Sequence, residues 1–259
     1  TPLPAARLGS TSGRKRLETV YGVAALDAFG DFTRAEIAAA GGVVDYVALT
    51  QRGKLPRIAP PVRFTPGEIM EIDAATRRNL ELTRTLSGEL QGSLLSVIDR
   101  TVTGAGARSL GRRLSQPLTD PIAIAKRLNS VQFFVDDGGL RSDARKVLGA
   151  SPDVARALSR LTIGRGGPRD LAAIRDGLSA AMALAVRFGE SPAVALPENI
   201  ADAQEDLGGH EALIARLSDA LADELPLLAR DGGSIRAGYH KELDELVALR
   251  DESRKLIAQ

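Results

Sequence analysis

Apolar positions along this chain recur mostly at helical spacing. Ile124, Leu128, Val131 and Val135 fall at i, i+4, i+7 and i+11, one face of a helix. Leu171, Ile174, Leu178, Ala181, Met182 and Ala185 mark a longer helix, and residues 210–224 another amphipathic one. A last stripe, Tyr239, Leu243, Leu246 and Val247, predicts a helix from about Tyr239 to the end. It fails over RDESRK, Arg250 to Lys255. A helix that loses its apolar face midway is expected to leave the protein body for solvent. Start and stop signals agree with these helices. Thr33 and Glu36 have capping-box spacing. Asp120-Pro121, Ser151-Pro152 and Gly167-Pro168 each set a cap before a proline at the first helical position. Gly138-Gly139 is expected to end the helix that Asp120 starts. Asp231-Gly232-Gly233 predicts a sharp turn, and residues 189–209, with Pro192, Pro197 and Gly208-Gly209, read as looser.

The front is less regular. Residues 1–16 hold Pro, Gly, Ser, Arg and Lys without periodicity and are expected to form a flexible arm. A helix should follow Thr33 through the Ala-rich stretch. Gly41-Gly42 is expected to interrupt it, or to weaken it by about 1 kcal/mol per glycine. Val43, Val44, Tyr46, Val47 and Leu49 carry the next apolar face. Gly53, Pro56, Pro60, Pro61 and Pro66 then predict short extended pieces and turns, with a boundary near residue 66. Beyond it the pattern is helical almost throughout. No solenoid repeat is visible. The predicted fold class is mainly α: a helical bundle with a long C-terminal helix, preceded by a small α/β remnant.

Composition narrows the function classes. A hydrophobic share of 44% and a charged share of 26% are ordinary for a globular protein. A net charge of +1 gives no global field for DNA or membranes, so nucleic-acid binding would need a local basic patch. The absence of cysteine excludes disulfides and thiolate chemistry and is compatible with the cytoplasm, the expected location. No apolar run approaches the roughly 20 residues a membrane span needs, and no signal peptide is visible. Both ends look like cuts, so the chain is expected to be a fragment. Aromatics make up 3%, with no Trp, which leaves few stacking faces for single strands.

Motifs for catalysis fail on spacing. Gly9 to Arg14 (GSTSGR) is the nearest approach to a phosphate-binding loop, but its spacing departs from the pattern and no strand precedes it. Gly104-Ala105-Gly106 opens like a dinucleotide fingerprint, but Ser109 occupies the third glycine position. These glycines read better as a helix start packed against a neighbour. His210 and His240 have no metal-ligand pattern around them and read as surface residues. Acid groups such as Asp136-Asp137 and Glu242, Asp244 and Glu245 read as solvated. No catalytic, cofactor or metal site is expected. Arg14, Lys15 and Arg16, Arg77 and Arg78, Arg112 and Arg113, and Arg165 and Arg169 are the basic positions. Arg77, Arg78, Arg112 and Arg113 are the candidate DNA phosphate contacts, although solvated helix surface is the commoner role for such residues.

The stretch from Met70 to Asp120 carries a resemblance. Asp73, Thr76, Asn79, Leu80, Glu81 and Leu82 meet a pattern of the form hydrophobic-Asp-x-x-T-x-x-N-L-E-L. Gly92, Ser93, Leu94, Leu95, Asp99, Thr101, Thr103, Gly106 and Arg108 meet G-S-L-L-x-x-hydrophobic-D-x-T-x-T-x-x-G-x-R, and Pro117 to Asp120 closes the block. In these residues the chain resembles the bacterial MutS family of DNA mismatch repair proteins. Leu17 to Gln51 is similar to the C-terminal half of that family's connector domain. Arg160 to Leu178 and Asp231 to Asp251 are similar to its later core and lever helix. The resemblance implies segments 17–66 (connector), 67–237 (helical core) and 238–259 (start of a lever toward a clamp that is absent here).

For function, the resemblance implies a non-enzymatic scaffold and lever that couples an ATPase to DNA clamping and mismatch binding. The family's Walker motif is absent from this chain, and no mismatch-reading Phe-x-Glu segment opens it. ATP and Mg, mismatched double-stranded DNA, MutL and a homodimer are implied for the full-length parent, with no cofactor in the fragment and no membrane. Asp73, Thr76, Asn79, Thr101, Thr103, Gly106, Arg108 and Pro117 are the structural motif, expected to cap helices and fix contacts between them. The alternatives are a helical interaction scaffold and a MutS paralogue acting in recombination.

Overall fold

A computed structural model describes residues 4–62, 67, 69–190 and 195–257. Among these residues the fold is mainly α-helical. The only β pairing is two isolated antiparallel bridges, Ile69 with Leu118 and Leu221 with Ile235. The described residues of the front segment are therefore helical or irregular, and the β part expected of an α/β remnant is not found among them. Contacts divide the chain into two compact units. One comprises Thr1–Asp99, Ser109–Ile124 and Thr162–Arg165, the other Arg100–Arg108, Ala125–Leu161 and Gly166–Gln259.

The first unit opens with a 3-10 turn, Ala5–Leu8, then helices α1 (Ser10–Tyr21) and α2 (Arg34–Thr50). The expected flexible arm is thus helical from Ser10. Leu17 anchors the helix, and its Arg14 and Arg16 are paired across it, to Glu18 and Asp27 and to Asp45. α2 starts as the sequence predicts: the Thr33 hydroxyl accepts from the Glu36 amide, and the Glu36 carboxylate accepts from the Thr33 amide at 2.6 Å. It is not interrupted at Gly41-Gly42, because both glycines sit on its buried face. A Cβ on Gly41 would lie 2.3 Å from the Cα of Gly13, and one on Gly13 would lie 2.6 Å from the Ile37 carbonyl oxygen. The two helices therefore touch backbone to backbone, as only glycine permits. Leu17, Leu26, Ile37 and Val44 form the core beside this contact, with Tyr21 edge-on to Phe29 at 5.3 Å. Residues 54–62 are irregular, in keeping with their prolines. The unit also holds α3 (Ala74–Asn79) and α4 (Leu94–Ile98). Pro66, where the boundary is expected, lies outside the described residues.

α5 (Gly104–Ser115) and α6 (Pro121–Asp136) pass from one unit to the other along the chain. Asp120 caps α6, accepting from the Ile122 and Ala123 amides. The predicted stripe of α6 is not its core face. Leu128, Val131 and Val135 are about 60% exposed, whereas Phe133 is 8% exposed. Phe133 follows Ile124 by nine residues, two and a half turns, and so lies on the opposite side. A buried Phe removes more apolar surface than a Val, and the aromatic side wins the core. Asp136 ends α6, but Gly138-Gly139 does not act as its stop. Asp137 accepts from the Leu140 amide at 2.8 Å and starts α7 (Gly138–Ala150) directly.

The second unit continues with α8 (Val154–Thr162), α9 (Pro168–Gly189), α10 (Glu198–Asp206), α11 (Glu211–Ala220) and α12 (Lys241–Ile257). Asp153, rather than Ser151, caps α8. α9 is the hub: Leu184 and Phe188 meet Phe133 from α6 and Leu140 and Ala144 from α7, with Ile200 and Leu207 packed against them. The stretch expected to be looser carries α10, whose Gln204 donates to the Ala185 carbonyl on α9. Pro192, expected within that stretch, lies outside the described residues. The predicted turn is present: Gly232 and Gly233 both have φ of 74°.

Candidate functional site: an arginine-lined cleft

The motif block folds through caps and turns rather than one long helix. Asp73 accepts from the amides of Ala75 and Thr76, each at 2.9 Å, and from the Thr76 hydroxyl at 2.6 Å. The Thr76 hydroxyl bond, with the amide bonds behind it, holds the Asp73 carboxyl below the usual carboxylate range. α3 then stops at Asn79, an exposed residue. Glu81 takes φ of +48°, outside the helical region, and turns the chain. Its carboxylate accepts from the Leu86 amide at 2.6 Å. Its carbonyl and that of Leu82 accept from the Leu94 and Leu95 amides. Residues 80–93 are thus a braced loop where the sequence pattern predicts helix. Gly92, at φ of +91°, leads into Ser93, which is fully buried and caps α4.

The remaining motif residues close the block. The Thr103 hydroxyl accepts from the Gly106 amide at 2.9 Å, and the side chains of Thr101 and Thr103 fill the space where a Gly106 Cβ would stand. Arg108 reaches both carboxylate oxygens of Asp153, at 2.9 and 3.2 Å. Partial burial pushes the Asp153 carboxyl up. The Arg108 and Arg156 bonds and charges outweigh it, and the net shift is downward. Pro117 accepts from the Met70 amide at 2.8 Å, beside the bridge between Ile69 and Leu118.

Of the basic candidates, the fold gathers Arg77 and Arg78 and adds a third. These two project from α3 into a cleft of about 690 Å³ whose other wall is the loop Thr83–Gly88, including Arg84. Arg84 donates to the Gly88 carbonyl at 2.8 Å, which fixes its guanidinium. Arg77 donates to the Ile72 carbonyl at 3.3 Å, and its buried Nε has no acceptor. Among the described residues no Asp or Glu lines the cleft. Arg112 and Arg113 lie elsewhere, exposed in the last turn of α5, where they suit the helix dipole. Sequence reasoning missed Arg84, because NLELTRTL reads as a continuing helix and only the turn at Glu81 folds it back.

Nothing in this arrangement pairs a nucleophile with a base. Among the described residues no group of three or more His, Cys, Asp or Glu side chains could hold a metal ion, and no helix is long and apolar enough to cross a membrane. Gly9 and Gly13, the nearest approach to a phosphate loop, are respectively the cap of α1 and its contact with α2.

The MutS domain III family model matches residues 75–259. The chain is 53% identical over its whole length to a protein named DNA mismatch repair protein MutS from Cereibacter sphaeroides, of which it covers 29%. It is 51% identical to the protein of that name from Paracoccus denitrificans, covering 29% of it, and 52% identical to that from Azorhizobium caulinodans, covering 27%. The chain thus spans less than a third of the length of these curated relatives.

Proposed function

The chain belongs to the MutS domain III family, and from that premise we propose that it serves as the scaffold and lever segment of a DNA mismatch repair protein. In this reading the segment performs no catalysis. It carries the nucleotide state of an ATPase, where ATP and Mg bind, to the parts that clamp mismatched DNA. The parent acts as a homodimer that engages MutL, partly through the connector part of this segment.

The observation that carries the reading is the contrast between the root and the shaft of α12. At the root, Leu221 is 1% exposed and bridges to Ile235. Arg236 donates to the Leu221 carbonyl and to Asp223 at 2.9 Å, and the Gly238 amide donates to Asp244 at 2.9 Å. Along the shaft no side chain from Lys241 to Ser253 is buried, and Leu246 and Leu249 are about 60% exposed. At about 1.5 Å per residue, 17 residues reach about 25 Å. A rigid helix fixed at one end can transmit displacement, provided its two ends make different contacts in two global states.

Two experiments test this. In the full-length protein carrying this chain, Leu246→Pro should break the shaft. ATP hydrolysis should persist while its control of DNA release is lost; intact control would overturn the lever reading. The chain alone, titrated by fluorescence anisotropy with matched and single-mismatch duplexes, should bind both equally and weakly, with affinity falling as salt rises. A mismatch preference that survives moderate salt would place recognition within these residues and overturn the scaffold reading.

A further inference from the structure

We infer that the cleft between α3 and the Thr83–Gly88 loop is a binding site for a phosphate ester. Three guanidinium groups, Arg77, Arg78 and Arg84, line one concave space with no carboxylate among the described residues of its walls. The loop wall adds the hydroxyl-bearing residues Thr83, Thr85 and Ser87. Arg84 is held in place by the Gly88 carbonyl, and Arg78 is exposed at the opposite wall. Arg77 is tied at its base, its guanidinium donating to the Ile72 carbonyl at 3.3 Å. Planar guanidinium forks match the oxygens of phosphate in pairs.

Size and lining set the rest of the ligand. About 690 Å³ is within the range of small-ligand sites and far more than a bare phosphate fills. Ile72, Ala74 and Leu86 offer apolar surface beside the cations. The ligand is therefore a phosphate carrying an organic group, either a nucleotide of a DNA strand or a free nucleotide. This inference is independent of the lever reading, since it uses neither α12 nor any coupling.

The test is calorimetric titration of the 259-residue chain with inorganic pyrophosphate at low salt. Saturable binding is expected. Arg78→Ala should weaken it on the order of tenfold, the loss of one hydrogen bond between charged groups. Because Arg78 is exposed and outside any core, its thermal unfolding should match the parent chain. Arg84→Lys, which keeps the charge but loses the fork, should weaken binding less than Arg84→Ala. The double variant Arg112→Ala/Arg113→Ala should bind as the parent does. Displacement by a short 5′-phosphorylated duplex would assign the phosphate to DNA, and displacement by ATP to a free nucleotide; either upholds the site. Absence of saturable binding, or equal loss in the Arg112/Arg113 variant, would overturn it. Equal displacement by hexaglutamate would make the cleft an acidic-peptide site and overturn the phosphate assignment.

Discussion

Gly13 on α1 and Gly41 on α2 meet backbone to backbone, with room for no atom between them: a Cβ on Gly41 would lie 2.3 Å from the Gly13 Cα. Backbone cannot rotate aside as a side chain can. Gly41→Ala should gain about 1 kcal/mol of helix propensity and lose more by forcing the helices apart. The expected net loss is about 2 kcal/mol, within the usual range for overpacking. Urea unfolding of the variant against the parent chain measures it, and an unchanged or stabilised protein would show that the helices separate freely.

A similar close approach in the second unit involves a side chain and can be relieved. A Cβ on Gly177 of α9 would lie 2.1 Å from the Val154 Cγ2 of α8. Val has few alternative rotamers, so Gly177→Ala should cost about 1–3 kcal/mol. In a Val154→Ala background the same substitution should cost much less. A double-mutant cycle reads this coupling directly, and additive losses would sink the contact as the cause.

Ser93 is fully buried, donates to the Leu90 carbonyl at 2.7 Å and accepts from the Ser96 amide at 3.3 Å. Ser93→Ala removes both bonds in a site closed to water. The expected loss is about 1–2 kcal/mol, accompanied by faster amide exchange at Ser96. Unchanged exchange there would mean that the cap does not hold α4.

Asp170 ties the start of α9 to α8. It accepts from Arg160 through Nε at 2.8 Å and from the Gly167 amide at 2.9 Å. The Arg160 bond, followed by the amide bond, holds its carboxyl below the usual range against an opposing effect of burial. A lowered folded value means that the stabilisation is complete above the unfolded value, about 3.9. It fades as pH falls through the folded value. The Arg160 side chain is 49% exposed, so screening limits the contribution to about 1 kcal/mol. Asp170→Asn keeps an acceptor for Gly167 but loses the charge. It should be less stable by about that amount at pH 7, with the gap to the parent narrowing between pH 5 and pH 2. A gap that stays constant across that range would assign the effect to shape rather than charge.

Local chemistry was legible in the sequence wherever one residue's own groups settle the outcome. The Thr33 and Asp120 caps, the helix opened by Pro168 and the Gly232-Gly233 turn depend on bonds within three or four positions, and the sequence determined them. The mainly α class followed from the same periodicities. Tertiary structure decided which face each helix buries and what each glycine does. α6 carries apolar residues on two sides, and only the neighbours that arrive from α7 and α9, Phe188 among them, select the Phe133 side. Gly41 reads as a weak point until Gly13, 28 positions earlier in the chain, is seen against it. The arginine cleft has the same origin. Arg77 and Arg78 are adjacent in sequence, but Arg84 joins them because Glu81 turns the chain and the Leu94 and Leu95 amides hold that turn. Caps and turns are short-range and written in neighbouring residues, whereas burial and charge clustering depend on which distant groups arrive, and no local pattern encodes that.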